Sequence, residues 1–381
     1  DEIKCGKTTF RVMHTPGHTP EHLTFLVTDT AGANRPIAAL TGDFLFVGDV
    51  GRPDLLEKAA GITGTMEAGA RDLFRSLKRF ADLPEWLQIW PGHGAGSACG
   101  KGLSSIPHST LGYERRFNWA FSIESEEAFV GAVLDGQPEP PTYFAEMKRI
   151  NREGPRVLHG FPEPDLGTLD RLAELLDEGA WIVDTRSAVE FGAGHIPGTL
   201  NIPLNRSFST WAGWLLPFDR EIHLIVDQAH VEEAVRDLAL IGLDRVASVF
   251  APGVVDGWAE RGRPLGTVRT HSPEEVAEAI DAGRVTVLDV RGSTEWRAGH
   301  LAGVEFIPVG HLPHHLDELP RDRELILHCQ GGARSAIAAS LLQRAGFDNV
   351  SHMAGGYAAW AAEERPTVRE EGVADAGGGS G

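Results

Sequence analysis

The spacing of apolar and polar positions divides the chain into two parts with different architecture. From about residue 165 onward, acidic segments with helical spacing, such as TLDRLAELLDEG, alternate with short apolar runs typical of buried strands, such as LILH. Strands that alternate with helices predict a parallel sheet with helices on both faces. Before about residue 120, the strands LTFLVTD and EWLQIW are separated by loops rich in glycine and histidine. We therefore expect an α/β protein with more than one fold.

An internal repeat fills the second part of the chain. WIVDTRSAVEFGAGHIPGTLNIPL (181–204) matches VTVLDVRGSTEWRAGHLAGVEFIPV (285–309), and an Asp, an Arg, a Glu and a His recur 105 positions later. The pairs HLIVD and LILHC, and GVVDGW and GGYAAW, continue the match. Such repetition predicts two copies of one domain, at residues 165–268 and 269–366. Residues 121–164 are expected to form a helical connection, and the Gly-rich residues 367–381 are expected to be disordered.

The composition indicates a globular protein and excludes several classes of partner. The 381 residues are 42% hydrophobic, which is enough for two or three domains with cores of their own. A formal charge of −19 argues against nucleic acid, and no segment is long and apolar enough to span a membrane. The cysteines, Cys5, Cys99 and Cys329, are too far apart to indicate a disulfide framework. A reducing, cytoplasmic compartment is expected.

One of the apolar runs ends on a cysteine with unusual neighbours. Cys329 follows LILH, two glycines come next, and a helix is expected to begin near Ser335, directly after Arg334. Parallel sheets bind ligands at the carboxyl ends of their strands, and glycines allow backbone N–H groups to curl around an anion. The helix N-terminus and the arginine would favour the deprotonated, nucleophilic sulfur. A buried cysteine is usually inert packing, but this combination favours a nucleophile.

The loop HCQGGAR and the repeated DVR and AGHLAGV segments resemble the rhodanese sulfurtransferases. The resemblance implies that Cys329 carries a transferable sulfur as a persulfide. It also implies that the residues of the loop bind the substrate: Gln330, Gly331, Gly332, Ala333 and Arg334. Cysteine phosphatases are the alternative, but their loop is one residue longer than the four residues that separate Cys329 from Arg334. The shorter cradle suits a sulfur atom better than a phosphate.

The first repeat lacks this chemistry. Asp227 stands where the second repeat has Cys329, and the following QAHVEEAVRD contains neither the glycine pair nor the arginine. We expect a rhodanese-like domain without catalytic activity, which packs, spaces or docks. His195 and His300, which belong to the repeated motif, are expected to be structural.

Three glycine-containing motifs in the first part of the chain present histidine and aspartate. They are TPGHT, TGD and PGH, and the prolines and glycines around the first exclude a helix that would align its histidines. In this order the motifs resemble the second half of the metallo-β-lactamase fold, in particular its glyoxalase-II-like and persulfide dioxygenase branches. The resemblance maps the metal ligands to His18, Asp43 and His93.

The segments HTPEH and GDVGRPDL resemble the dioxygenase branch more than the thioester hydrolases. That branch holds a mononuclear non-haem Fe(2+) with two histidines and one aspartate. His18 and Asp43 would be two of these ligands, with His93 nearby. Arg52 would bind substrate or support the site, and Asp54 would orient it.

A further motif of the superfamily, His-x-His-x-Asp-His, does not occur in the sequence, and the chain begins with Asp1. We therefore expect a C-terminal piece of a longer product, or a half-domain completed by a second chain, which would supply a further metal ligand. A degenerate metal site is the alternative. An apolar face of the sheet should then be uncovered. Cys99, in the loop after PGH, is expected near the substrate entrance.

These resemblances imply a fold class and a function. The fold class is α/β, with a partial metallo-β-lactamase αββα domain at residues 1–120 before two rhodanese-like domains with parallel sheets. The implied function is sulfide detoxification. An iron centre would oxidise the persulfide of a small thiol, such as glutathione or coenzyme A, to sulfite, and Cys329 would transfer sulfur, with thiosulfate as one product. A zinc-dependent glyoxalase-II-like thioesterase fused to rhodanese domains is the alternative, and a non-enzymatic sulfur-relay or docking scaffold is the third hypothesis. A homo-oligomer is compatible with each.

Overall fold

The computed structural model describes residues 1–58, 63–95, 100, 102–137 and 139–369. The chain divides into two compact units, Asp1–Lys148 and Arg149–Gly381. The boundary falls inside the connection predicted at residues 121–164, within a helix that begins at Tyr143. Each unit has its own sheets and its own hydrophobic core.

The first unit is built on a six-stranded mixed sheet in which the strands follow chain order. Only the pairing of the fourth and fifth strands is parallel within the described sheet. The strands are β1 (Glu2–Cys5), β2 (Thr8–His14), β3 (Leu23–Asp29), β4 (Ala38–Gly42), β5 (Gln88–Pro91) and β6 (Ser109–Thr110). The helices are α1 (Leu55–Lys58), α2 (Met66–Ala81), α3 (Leu111–Phe117), α4 (Trp119–Ser122), α5 (Glu126–Leu134) and α6 (Tyr143–Glu153), which crosses the boundary.

The two faces of this sheet differ in their surroundings. Side chains alternate across a strand, and Leu26 of β3 points into the core that Leu73 of α2 helps to form. On the opposite face, Leu23, Leu40 and Trp90 are 42%, 39% and 47% exposed, and Leu40 and Trp90 are cross-strand partners. This exposed apolar face agrees with the uncovered sheet face expected from the sequence.

The second unit contains two five-stranded parallel sheets, one in each repeat. The strands of the first repeat are β7 (Asp165–Leu166), β8 (Trp181–Asp184), β9 (Leu200–Asn201), β10 (Ile222–Ile225) and β11 (Val246–Phe250). Those of the second repeat are β12 (Arg269–His271), β13 (Val285–Asp289), β14 (His300–Leu301), β15 (Glu305–Phe306), β16 (Glu324–His328), β17 (Val350–Met353) and β18 (Thr367–Val368). Strands β14 and β18 form a separate antiparallel pair.

The same strand order in both sheets confirms the internal repeat. The orders are β7-β11-β10-β8-β9 and β12-β17-β16-β13-β15, which correspond strand by strand. The predicted α/β fold with parallel sheets is therefore confirmed. The α-helices of this unit are α7 (Leu169–Asp177), α8 (Ala188–Ala193), α9 (Phe208–Leu215), α10 (Val231–Leu240), α11 (Val254–Glu260), α12 (Pro273–Asp281), α13 (Ser293–Ala298), α14 (Ala333–Arg344) and α15 (Gly356–Ala362). Short 3₁₀ helices span Gln228–His230, Leu312–His314 and Leu316–Glu318.

Helix α14, which follows the cysteine loop, is buried where the two repeats meet. One hydrophobic cluster contains residues of both repeats, among them Val183 and Leu200 from the first and Ile337 from α14. The backbone N–H of Asn201 in β9 donates to the Ser340 hydroxyl of α14 at 2.9 Å. The residues of α14 that are buried include an uninterrupted run from its third position: Ser335, Ala336, Ile337, Ala338, Ala339, Ser340, Leu341 and Leu342.

The last residue of α14 also binds the first repeat. The Arg344 guanidinium donates to the carbonyl oxygens of Gly179 and Ala180 at 3.2 and 3.0 Å, and to that of Gly198. It lies 4.4 Å from the ring centroid of Trp181. Burial lowers the pKa of Arg344, yet these acceptors satisfy its N–H groups. The repeat without the cysteine therefore helps to fix the helix that carries the cysteine loop.

The predicted disorder at residues 367–381 needs a correction at its start. Thr367 and Val368 pair with Leu301 and His300 in an antiparallel ladder, which gives their backbone groups regular partners. Residues 370–381 lie outside the described residues. Among the helices of the described part of the chain, none combines the length and the apolar character that a membrane crossing requires.

Candidate active site

Cys329 directly follows β16, the central strand of the second repeat's sheet. Its sulfur accepts a hydrogen bond from the Gly332 N–H at 3.1 Å. The Ser335 hydroxyl lies 3.8 Å from the sulfur and 3.0 Å from the Gly332 carbonyl oxygen. Although Cys329 is 1% exposed, the residues directly after it, Gln330 and Gly331, are exposed. The sulfur thus lies at the base of an exposed loop.

Gly332 gives this loop its shape. Its φ of +104° lies in the left-handed region that side chains with a Cβ rarely adopt, and it stands at the N-cap of α14. This conformation turns the Gly332 amide toward the sulfur of Cys329. The sequence predicted several amides around the sulfur, and the structure places this amide on it with Arg334 close enough to interact with it electrostatically.

A second glycine, at the start of α15, allows close packing against the backbone of the cysteine loop. Gly356 has φ +59°, and a Cβ there would lie 2.2 Å from the Cys329 carbonyl oxygen. The Tyr357 N–H donates to that oxygen at 2.7 Å, and the Ala358 N–H donates to the Gln330 carbonyl oxygen at 3.0 Å. The first turn of α15 therefore fixes the backbone of the cysteine loop.

Arg334 forms a two-pronged ion pair with Glu295 of α13. The Nη1–Oε2 and Nη2–Oε1 distances are 2.6 and 2.7 Å. Burial alone would lower the pKa of Arg334, but the hydrogen bonds and charge of Glu295, together with Cys329, raise it. Burial likewise opposes ionisation of Glu295, but Arg334 and the Gly292 N–H lower its pKa. Both partners are therefore charged at neutral pH.

Arg291, two residues after the end of β13, supports the site from within the protein. It is 1% exposed and donates to both carboxylate oxygens of Asp289 at 2.7 to 3.0 Å and to the Gly299 carbonyl oxygen at 2.7 Å. Its guanidinium also lies 4.0 Å from the ring centroid of Tyr357. In the first repeat, Arg186 makes the corresponding contacts with Asp184 and a glycine carbonyl. A pair present in both repeats is a feature of the fold.

The first repeat has a helix cap where the second has Cys329. Asp227 follows β10, and its Oδ1 accepts the Ala229 N–H at 2.8 Å, which caps the 3₁₀ helix Gln228–His230. A carboxylate in this position has no sulfur to transfer. That this repeat is non-catalytic remains a prediction from the sequence.

The repeated histidines are packed into the fold. His195 places its Nδ1 3.0 Å from the Phe191 carbonyl oxygen and stacks on the Phe191 ring at 3.8 Å. His300 makes the same arrangement with Trp296, at 2.9 Å and 3.5 Å. These positions agree with the structural role that the sequence indicated.

The first unit brings His18, Asp43 and His93 together. The His93 Nε2 lies 3.0 Å from Asp43 Oδ1, and the His18 Nε2 lies 3.9 Å from Asp43 Oδ2. The hydrogen bond from His93, partly opposed by burial, lowers the pKa of Asp43. Burial lowers the pKa of His18, and its other ring nitrogen, Nδ1, lies 3.1 Å from the Arg52 carbonyl oxygen. Neutral imidazoles of this kind are suitable metal ligands.

The arrangement nevertheless does not fit a metal ion as it stands. Within the described ranges, no group of three or more His, Cys, Asp or Glu side chains is placed to hold one. The neighbouring His22 is used structurally, because its Nε2 accepts the Asp43 N–H at 3.2 Å and its Nδ1 lies 2.9 Å from the Thr15 hydroxyl. The three side chains therefore form only a partial donor set for the iron or zinc that the resemblance implies. We derive no reaction step at this site.

Arg52 occupies a closed position. It is 0% exposed and pairs with both carboxylate oxygens of Asp54 at 3.0 and 2.7 Å. Burial would raise the pKa of Asp54, but Arg52 and Lys58 lower it. Of the two roles expected for Arg52, this favours support of His18 through its carbonyl oxygen over contact with substrate. Cys5 is exposed, and Cys99 lies outside the described residues.

Comparison with known proteins identifies the second unit. The sequence model described as "Rhodanese-like domain" matches residues 168–249 and 272–363, one segment in each repeat. The chain belongs to the rhodanese-like domain family. The sulfurtransferase of Allochromatium vinosum is 33% identical over 92 residues, which cover 24% of this chain and 86% of that protein.

Other similarities extend to longer proteins. The probable adenylyltransferase/sulfurtransferase MoeZ of Mycobacterium tuberculosis is 37% identical over 102 residues, 26% of this chain and 26% of MoeZ. The chain thus spans about a quarter of the length of that relative. The crystal structure of a metallo-beta-lactamase from Staphylococcus aureus is 42% identical with a TM-score of 0.57, and the match covers 66% of this chain and 68% of that one. The rhodanese repeats are therefore joined to a metallo-β-lactamase-type fold.

Sequence reasoning missed three residues of the rhodanese site: Glu295, Ser335 and Gly356. Glu295 was visible only as a repeated glutamate, and its partner Arg334 is 39 positions away. Ser335 was visible only as the expected start of a helix. Gly356 could have been found by comparing the repeats. The first repeat has Val254 at the matching position, and it has no cysteine loop that would need the space a side chain fills.

Proposed function

We propose that the second rhodanese repeat transfers sulfur through a persulfide on Cys329. The observation that carries the proposal is the placement of the sulfur: it receives the Gly332 N–H at 3.1 Å beneath an exposed loop, beside the charged pair of Arg334 and Glu295. An amide aimed at a sulfur stabilises negative charge on it. The rhodanese domains support sulfurtransferase activity in general; the residue and the donors are the proposal.

The transfer takes place in two balanced steps. The deprotonated sulfur of Cys329 attacks the outer sulfur of the donor, so that a new S–S bond forms while the donor's S–S bond breaks. The leaving group takes the bonding electron pair and departs as sulfite from thiosulfate, or as a thiolate from a thiol persulfide. An acceptor thiolate then attacks the outer sulfur, and Cys329 leaves with its electron pair. Gln330, Gly331, Gly332, Ala333 and Arg334 form the rim through which donor and acceptor enter.

The physiological setting we propose is sulfide detoxification. A small thiol persulfide, of the glutathione or coenzyme A type, would be the donor, and sulfite and thiosulfate would be linked by the transfer. A reducing, cytoplasmic compartment would suit a chain that acts through a free thiol.

The direct test of the proposal replaces Cys329 by serine, which removes the transferable sulfur and little volume. Thiosulfate:cyanide and persulfide:thiol transfer should fall to background, with an unchanged circular dichroism spectrum. Cys5→Ser is the matched control, because Cys5 is exposed in the first unit, and it should retain full activity. Undiminished transfer by Cys329→Ser would favour the docking-scaffold hypothesis instead.

For the first unit we propose, as a second function, persulfide dioxygenase activity with a mononuclear Fe(2+). Its support is the convergence of His18 and His93 on Asp43, and the partial donor set requires at least one further ligand. Metal analysis with oxygen-uptake measurements tests it. With the further ligand supplied, one iron per site and persulfide-dependent O₂ uptake are expected, whereas two zinc ions and thioester cleavage would establish the glyoxalase-II-like alternative. A protein that has this ligand and contains neither metal would contradict both.

A further inference from the structure

The two repeats contain the same glutamate with different partners. Glu190 and Glu295 both lie in the first turn of a short helix, α8 and α13. In each, one carboxylate oxygen accepts the N–H of the N-cap residue: Ser187 N–H to Glu190 at 3.1 Å, and Gly292 N–H to Glu295 at 3.0 Å. Only Glu295 has an arginine of the cysteine loop as a further partner, because the first repeat has no counterpart of Arg334. The cap is a property of the fold, whereas the ion pair is a property of the repeat with the nucleophile.

The ion pair occupies the part of Arg334 best suited to an anion. Both terminal nitrogens of the guanidinium bind one oxygen each of Glu295, at 2.6 and 2.7 Å. This is the fork geometry in which arginine binds carboxylates, phosphates and other oxyanions. The side chains of Arg334 and Glu295 are 21% and 35% exposed, so substrate can reach the pair from the loop. For an oxyanion that binds there, the charge of the Arg334 guanidinium is already balanced by Glu295, and two of its N–H groups are already used.

We propose that Glu295 is a positioning residue that sets donor selectivity: by engaging Arg334 it disfavours dianionic donors such as thiosulfate relative to thiol persulfides of low charge. This rests on sulfur transfer through Cys329. The guanidinium has five N–H donors. Those that do not face Glu295 can still stabilise the single negative charge that develops on the thiolate when a thiol persulfide is the donor. Arg291 also acts electrostatically on Glu295, but it is 1% exposed and engaged with Asp289.

The substitution Glu295→Gln tests the proposal. The amide is nearly isosteric and keeps an oxygen for the Gly292 N–H, but it removes the charge opposite Arg334. We expect the KM for thiosulfate to fall several-fold, the KM for the persulfide of 2-mercaptoethanol to stay the same, and kcat to change little with either donor. The decrease in KM should shrink as ionic strength rises, because salt screens the uncovered charge.

Glu190→Gln is the matched control. It makes the same substitution at the same helix position, where the carboxylate also accepts the N–H of the N-cap residue and, in addition, the Ser187 hydroxyl. Its partners do not include an arginine of a cysteine loop, because the first repeat has no counterpart of Arg334. Both KM values should match those of the wild type. If Glu295→Gln does not fold, Glu295→Asp makes the same test, because its shorter carboxylate loses contact with the fork, and a smaller change in the same direction is expected.

The outcome separates this inference from the proposed function. Suppose the wild type transfers sulfur, but Glu295→Gln leaves the ratio of the thiosulfate KM to the persulfide KM unchanged or raises it. That result would overturn the role of Glu295 and leave the proposed function intact. A wild type without sulfur transfer from either donor would overturn the proposed function, whatever the variant does. A lower thiosulfate KM only in Glu295→Gln, and not in Glu190→Gln, supports the inference.

Discussion

Cys329 directly follows a histidine that burial keeps neutral. His328, the last residue of β16, is 0% exposed. Burial lowers its pKa to about 4, although the Asp289 carboxylate, 3.7 Å from its Nε2, acts in the opposite direction. At neutral pH this imidazole is therefore uncharged and does not serve as a proton donor to the leaving group. The charged groups that the structure places at the cysteine loop are Arg334, paired with Glu295, and behind it Arg291, paired with Asp289.

This buried histidine predicts a pH dependence of stability. An unfolded His328 has a pKa near 6.5 and a folded one near 4, so the unfolded state binds more protons between these values. Stability is therefore fully present above pH 6.5 and is lost as pH falls toward 4, by about 3 kcal/mol for this group. Hydrogen exchange of the β16 peptide at pH 7 and pH 5 should show about 2 kcal/mol of this loss in the wild type and a smaller loss in His328→Leu. An equal loss in both proteins would contradict the assignment.

For individual residues, the sequence predicted which side chains belong to the site better than it predicted the contacts those side chains make. Cys329, its glycines and Arg334 are adjacent in the chain, so their placement around one strand end followed from local rules. The pairing of Arg334 with Glu295 joins residues 39 positions apart, and only the folded sheet brings them together. The same limit applies to Arg52, whose closed position depends on packing that a motif does not encode.

Among the elements, α14 has the largest role. Its N-terminus begins at the cysteine loop, and its C-terminus binds carbonyl oxygens of the first repeat through Arg344. From Ser335 to Leu342 its residues are buried on all sides, unlike those of an amphipathic surface helix. The strands and helices were predictable from periodicity. For the burial of this helix between the repeats, its alanine-rich composition was the only signal in the sequence. The antiparallel pairing of Thr367 and Val368 was missed, because two residues are too short a pattern to read.

Removing the charge of Arg344 should weaken the junction of the repeats. In Arg344→Met the hydrogen bonds to the carbonyl oxygens of Gly179, Ala180 and Gly198 are lost while much of the packing volume remains. We expect a loss of about 1–3 kcal/mol in unfolding free energy, since the partly buried carbonyl oxygens of Ala180 and Gly198 lose a charged donor. Urea unfolding followed by hydrogen exchange of peptides from both repeats measures it.

Arg321→Met is the matched control for this junction. Arg321 also donates to two carbonyl oxygens, those of Ala345 and Gly346, and lies 3.9 Å from the Phe347 ring, but all of these partners belong to its own repeat. It should leave the protection of the first repeat unchanged. Equal effects of both variants on the first repeat would argue against a special role for Arg344.

At the scale of the whole molecule, the chain joins two units with different degrees of completeness. The rhodanese unit contains Cys329, its amide donor and a charged pair within the second repeat, with the first repeat as structural support. The first unit has a converging His–Asp–His trio and an exposed apolar sheet face. Motif order predicted both folds, whereas the partial donor set became visible only once side-chain positions were known.

The most direct measurement of the central claim is the intact mass of the protein, followed by peptide mapping, after incubation with thiosulfate or a thiol persulfide. One added sulfur atom should appear on the peptide that contains Cys329, and should disappear after addition of cyanide. The Cys329→Ser protein should gain no sulfur there. A wild-type protein whose Cys329 never gains sulfur, under conditions in which sulfur transfer is observed, would contradict the account.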